Sequence, residues 1–204
     1  MYTPPAFRFA DQPEQVAFMQ RYSFATLVTV SGGQPVATHL PVVVSVQGGE
    51  VRLLSHLAKA NPQWRDLANQ VALVIFSAPH AYISPTHYDQ ERSVPTWNYV
   101  AVHAYGRAQV VTEEARTFEI LEATIACFEA AYQPQWERLP AEYKTKMAAG
   151  IVAFELVVTD LQAQKKLSQN KTAAERARIQ ASLAGSPQPA EQDLAAYMGS
   201  LPSA

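Results

Sequence analysis

Two glycine pairs, Gly32-Gly33 and Gly48-Gly49, constrain this chain most. The first separates the β-rich run Phe24–Val30 from Val36–Val46, and the second separates Val36–Val46 from Val51–Ser55. A two-glycine link suits a tight hairpin turn that needs positive φ. It is too short for the crossover that parallel neighbours require. The three runs are therefore expected to form an antiparallel meander, and a doubly wound parallel fold fits poorly. Val71–Ser77, Trp97–Val111 and Ile151–Val158 read as further strands, and Ala81–Ser84 as a short candidate strand inside a loop region from Pro79 to Pro95.

Helical signals lie between and after the strands. Asp11-Gln12-Pro13-Glu14 opens a short helix through about Gln20. Asn61-Pro62 starts one through about Asn69, with Asn as N-cap and Pro at the first helical position. Thr112 is expected to cap a helix to about Tyr132, with Glu113 and Glu114 in its first turn. A Pro-punctuated connection, Gln133–Pro140, leads to another short helix. Thr172-Ala173-Ala174-Glu175 matches a capping box opening a helix through about Ala184, and a last helix lies around Glu191–Met198. The fold class this predicts is mainly antiparallel β with helices (α+β), an antiparallel barrel with helical decoration.

Composition narrows the function. In 204 residues, 48% are hydrophobic, enough for a substantial core. Formal charge is −2, which gives no electrostatic footprint for nucleic acid, so a basic face would have to be local. The one cysteine, Cys127, excludes an internal disulfide and falls in a helical pattern, where a small buried apolar role is expected. No apolar run reaches the roughly 18 residues of a membrane span. The start, Met1-Tyr2-Thr3-Pro4-Pro5, lacks a signal-peptide pattern, so the expected location is the cytoplasm.

No Gly-x-Gly-x-x-Gly, Walker loop or His-Glu-x-x-His is present, and the five histidines have no metal-ligand spacing, so no metal is expected. Neither Ser84 nor Ser168 has a nucleophile-elbow context. Three stretches stand out. Ser55-His56-Leu57-Ala58-Lys59-Ala60-Asn61-Pro62-Gln63-Trp64 joins a strand end to a helix start, where free N–H groups and Lys59 form either a phosphate grip or an ordinary turn with a solvated lysine. Tyr82-Ile83-Ser84-Pro85 and Val94-Pro95-Thr96-Trp97-Asn98-Tyr99 place aromatics at a loop–strand junction, to stack on a flat ligand or to fill a loop core. The strand that follows alternates: Val100, Val102, Ala104, Gly106, Ala108 and Val110 form a core face. Trp97, Tyr99, His103, Tyr105, Arg107 and Gln109 form an aromatic–polar face suited to a groove or a subunit interface. The third stretch, residues 164–171, brings lysines and amides together as a polar clamp or a solvated linker.

With Thr38-His39-Leu40-Pro41, these stretches resemble the PaiB-like family of FMN-binding negative transcriptional regulators, in order over nearly the whole chain. The resemblance implies an FMN-binding split β-barrel over residues 1–160. Residues 161–204 would add a polar segment and a helical C-terminal extension packed on the same domain. It implies homodimers with FMN in clefts between subunits. Ser55, His56, Lys59, Asn61 and Trp64 would hold the phosphate, with Lys59 as counter-charge where an arginine is usual in this fold. Thr38, His39 and Leu40 would follow the flavin ring edge. Trp97, Asn98 and Tyr99 would reach the flavin from the partner subunit, and Lys166, Ser168, Gln169 and Asn170 would close the site.

Three activities follow as expectations. One is a flavin-binding regulator; direct DNA contact would draw on a patch assembled across the dimer from Lys165, Lys166, Lys171, Arg176 and Arg178, which read more readily as a solvated helix face. Another is an FMN-dependent oxidoreductase, passing electrons between a nicotinamide cofactor and a small-molecule substrate, with His103 and Tyr99 as the nearest acid–base candidates. The third is haem binding through His56 or His103.

Overall fold

The computed structural model describes residues 1–200. The strands are β1 (Phe24–Ser31), β2 (Gln34–Pro41), β3 (Val43–Gln47), β4 (Glu50–Ala58), β5 (Ala72–Ile83), β6 (Thr96–Val110) and β7 (Ile151–Lys166). They form one antiparallel sheet in the order β2-β1-β5-β6-β7-β4-β3. The helices are α1 (Gln12–Arg21), α2 (Trp64–Leu67), α3 (Glu114–Phe128), α4 (Gln133–Arg138), α5 (Ala141–Ala148), α6 (Ala173–Ala184) and α7 (Pro189–Gly199).

Both glycine pairs make the expected hairpins. Gly32, Gly33, Gly48 and Gly49 all have positive φ, between 56° and 87°, a region glycine enters without a Cβ penalty. The meander, however, is two separate hairpins. The run Val36–Val46 breaks at Val42, so β2 pairs with β1 while β3 pairs with β4. Pro41 has no N–H to continue the ladder, and Val42 outside it donates to the Ser23 carbonyl at 2.9 Å. As a result β2 and β3 occupy the two ends of the sheet order.

Other boundaries differ for local reasons. The helix expected from Asn61 shrinks to one α turn, because i→i+3 bonds flank it: Arg65 to Pro62, Asp66 to Gln63 and Asn69 to Asp66. The short strand at Ala81 is the continuation of β5, whose buried positions switch from even to odd between Phe76 and Pro79. Glu113, not Thr112, occupies the N-cap of α3, which ends at Phe128. Residues 133–138, expected as connection, are helical, with Pro134 tolerated at the N-terminus. β7 runs eight residues past Val158, through the lysines. Cys127 is exposed in the last turn of α3, beyond Ile120 and Ala123, which pack on the sheet. The Thr172–Glu175 capping box forms as expected.

The chain divides into two compact units. One comprises Met1–Asp11, Ser77–Val102 and Gln162–Ala204, and the other Gln12–Phe76 and His103–Leu161. We call them the terminal unit and the hairpin unit. The hairpin unit has a core of Leu27, Leu53, Leu57, Phe76, Phe154 and Leu156. On its α3 side, Leu54, Ile120 and Ala153 pack together. Below them Glu155 receives Arg52 and Arg116, the latter at 2.6 Å. Burial alone would raise the Glu155 carboxyl, but these two arginines outweigh it and hold the group below its usual value. Gly106 is fixed by a close approach: a Cβ there would lie 2.2 Å from the Val157 carbonyl oxygen. The terminal unit has its own core, including Phe9, Ile83, Val100, Ile179 and Leu194.

Candidate functional site

The turn after β4 is stitched from within. The N–H groups of Lys59, Asn61 and Gln63 go to the Gly150 and Ala58 carbonyls and the Asn61 side chain, at 2.9–3.0 Å. The free N–H groups expected of an anion grip are thus taken at these three positions. Asn61 Nδ2 donates to Thr38 Oγ1 at 2.9 Å, and Thr38 Oγ1 donates to Gln63 Oε1 at 2.5 Å. Gln63 Nε2 completes the frame by donating to the Leu27 and Val36 carbonyls at 3.3 and 3.1 Å. Gln63 is only 2% exposed and ties the turn to the β1–β2 hairpin. The indole of Trp64 donates to the Lys59 carbonyl at 3.1 Å. Among the described residues the Lys59 ammonium makes no hydrogen bond or ion pair. It borders a cleft of about 340 Å³ together with Trp64, Thr112 and Ile151. Charge is therefore what this turn retains for an anion; α2, with four residues, has little dipole to add.

The other residues of this group have distinct placements. Ser55 is buried and donates to the Pro41 carbonyl at 2.5 Å. His56 lies opposite Ala153, with Nδ1 buried and unpartnered, and burial lowers its pKa, favouring neutral imidazole. His103 shares both properties. His39 is exposed and shares a 2.9 Å hydrogen bond with its cross-strand neighbour Thr26. Leu40 is a core residue, but its backbone lies on β2, which pairs only with β1 and so leaves one edge open.

The terminal unit gathers the second group. Trp97 is 53% exposed and forms an aromatic cluster with Tyr82 and His80, each ring centroid 6.1 Å from the indole. Tyr99 is half-buried on the same strand face. Asn98 points the opposite way, at 0% exposure, and exchanges hydrogen bonds of 3.0 and 3.1 Å with the buried Ser168. Ser168 has φ +59°. Lys166 donates to Thr96 Oγ1 at 2.5 Å, and Gln169 accepts from the Leu167 N–H at 2.7 Å. Asn98, Lys166, Ser168 and Asn170 line a cleft of about 460 Å³.

Each expected group thus assembles within one unit. Three contributors were missed. Gln63 sits inside the Asn-Pro-Gln-Trp motif, but its carbonyl partners are distant in sequence. Tyr88 and Arg92 lie in a loop with no periodicity to mark them.

The sheet and its hairpins are those of a split-barrel fold, as comparison with known structures shows. The flavocytochrome Anf3 of Azotobacter vinelandii matches with a TM-score of 0.62 and 18% identity, covering 78% of this chain and 69% of that one. An FAD- and haem-binding protein of Mycobacterium smegmatis matches at 0.63 and 17%, covering 83% and 78%. Residues 1–160 match the family described as "Putative FMN-binding domain". The chain is also 36% identical over 201 residues to protease synthase and sporulation protein PAI 2 of Bacillus subtilis, covering 97% of this chain and 96% of that protein. The chain belongs to this PaiB-like FMN-binding family, and FMN is its cofactor.

The donor set fits that cofactor. A free lysine beside an indole suits the phosphate, and an open strand edge at residues 38–40 suits the ring's alternating donors and acceptors. Among the described residues no helix is long and apolar enough to cross a membrane.

Proposed function

We propose that this protein is a PaiB-type regulator that works in the cytoplasm as a homodimer, with FMN between the subunits. One observation carries the reading. The cofactor residues divide into two groups, and neither is a complete flavin seat. The hairpin unit offers one unpaired ammonium and an open strand edge, with Thr38, Asn61 and Gln63 tied to one another. The terminal unit offers an exposed aromatic cluster and a polar segment. A second subunit supplying the second group completes the seat. Lys59 would meet the phosphate, residues 38–40 the ring edge, and Trp97 and Tyr99 a ring face. Bound FMN supplies one- and two-electron redox chemistry.

The basic residues available for DNA are largely engaged. Arg178 pairs with Asp89 at 2.5 Å, Lys171 lies 3.6 Å from the Tyr88 ring centroid, and Lys166 bonds Thr96. This favours regulation through flavin occupancy or redox state over a broad DNA-binding face.

Subunit complementation tests the shared site. Lys59→Glu and Trp97→Glu chains, each with weakened FMN binding alone, are expected to regain tight binding at one site per dimer when mixed, because a mixed dimer restores one intact site. No recovery on mixing, with both chains folded, contradicts the shared site. Specific genomic fragments retained at about 0.15 M salt would establish direct repression.

A second reading, an FMN-dependent oxidoreductase acting on a small molecule, is favoured by the unpartnered neutral imidazole of His103 on the aromatic–polar face of β6. Oxidation of NADH or NADPH by the loaded protein tests it. Haem ligation by His56 or His103 predicts a Soret band that disappears on His→Ala substitution.

A further inference from the structure

We infer that the cleft of the terminal unit is a binding site for a second ligand, a small organic anion bearing a carboxylate or phosphate on an apolar body. This rests on the FMN reading, because it assigns the anion to the flavoprotein as substrate or effector.

Three cations, Arg92, Lys166 and Lys171, line the cleft, and no carboxylate is in its wall. Arg92 is exposed and makes no hydrogen bond or ion pair among the described residues. Glu175, which attracts Lys171, is itself engaged by the N–H groups of Asp89 and Thr172 at 3.0 and 2.9 Å. Local positive charge therefore lacks a matching anion in the wall. Tyr88 adds a buried hydroxyl with no partner. Burial raises the pKa of that phenol, so it stays protonated and available as a donor. A buried donor without an acceptor is costly and is usually explained by a missing ligand or water.

The polar wall is built rather than incidental. Asn98 and Ser168 are both buried and hold each other by two hydrogen bonds. Ser168 adopts left-handed φ, a conformation rare outside glycine and concentrated at functional sites. Val94 and Pro95 give the same cleft apolar wall, which suits an organic body better than a bare inorganic ion. Arg92, Tyr88 and Lys171 fall outside the residues expected to hold flavin, whereas Asn98, Lys166, Ser168 and Asn170 of the same wall are among them, so the second ligand would sit beside the segment that closes the flavin site.

Calorimetric titration of phenyl phosphate and benzoate into FMN-loaded and flavin-free protein tests this, with benzyl alcohol as the uncharged control. Wild type is expected to bind at least one of the anions saturably, one per chain, and the control not at all. Arg92→Glu and Lys171→Gln are each expected to weaken that binding at least about tenfold, with FMN affinity unchanged within about twofold. Arg92 is exposed on a loop, so its variant keeps the test valid if Lys171→Gln does not fold. Absence of saturable binding of both anions overturns the proposal. So does a variant that loses FMN affinity while keeping riboflavin affinity, since the cleft would then seat the flavin's own phosphate. Failure of wild type to take up FMN overturns the flavin reading instead, and the flavin-free titration still decides whether the cleft takes an anion.

Discussion

The Lys59 turn and the Asn98–Ser168 cleft are both polar, yet they handle polarity in opposite ways. In the turn, Thr38, Asn61 and Gln63 satisfy one another, and one charge is left over. In the cleft, one buried pair is satisfied, while Arg92 and the buried Tyr88 hydroxyl have no partner. A closed network fixes geometry. An open set of donors binds. The turn is therefore a frame that presents a single cation, and the cleft is a receptor. Substitutions in the frame should register as stability, and substitutions of the leftover charges as affinity.

The largest expected effect lies in the hairpin unit. Gly106→Val must move the Val157 carbonyl and the Leu156 side chain, 2.2 and 2.5 Å from a Cβ, and should cost more than about 3 kcal/mol in urea unfolding. A loss under about 0.5 kcal/mol would mean that β6 and β7 do not approach so closely. Gln63→Ala comes next, at about 2–3 kcal/mol. It strands the Thr38 hydroxyl and removes the donor to two carbonyls. If it instead left stability intact and weakened FMN binding, the turn would be receptor rather than frame.

Acid should reveal the Glu155 pair. The carboxyl is held below its usual 4.5, so its stabilisation is complete above that pH and is lost as pH falls through the lower, folded value. His56 and His103, lowered from 6.5 by burial, lose theirs earlier, as pH falls below 6.5 toward their folded values. Glu155→Gln should lower stability at pH 7 by about 1–3 kcal/mol and flatten the acid limb below pH 4.5. An unchanged acid limb would remove the pair from the frame. The smallest stability effect is Arg92→Ala, within about 0.5 kcal/mol of wild type by thermal unfolding. A larger loss would place Arg92 in a structural contact.

Much of this was legible where sequence and local physics coincide. The glycine pairs dictate φ, the Thr172–Glu175 box caps its own helix, and β6 alternates as its residues do. The sequence was silent where a partner is remote. Pro41 marks a break in the apolar run, but that its two halves serve two hairpins depends on pairings made elsewhere. Lys165 and Lys166 look like linker but end a strand. Gln63 takes its meaning from carbonyls at positions 27 and 36. The motif residues of the site were visible as a set, but the division of labour among them needed the hydrogen bonds.

Lys59 decides the central claim. Wild type should bind FMN at least about tenfold more tightly than riboflavin, and Lys59→Glu should erase that difference while leaving riboflavin affinity and unfolding stability unchanged. If the preference for FMN survives in Lys59→Glu, the phosphate is held elsewhere and the turn is not its seat.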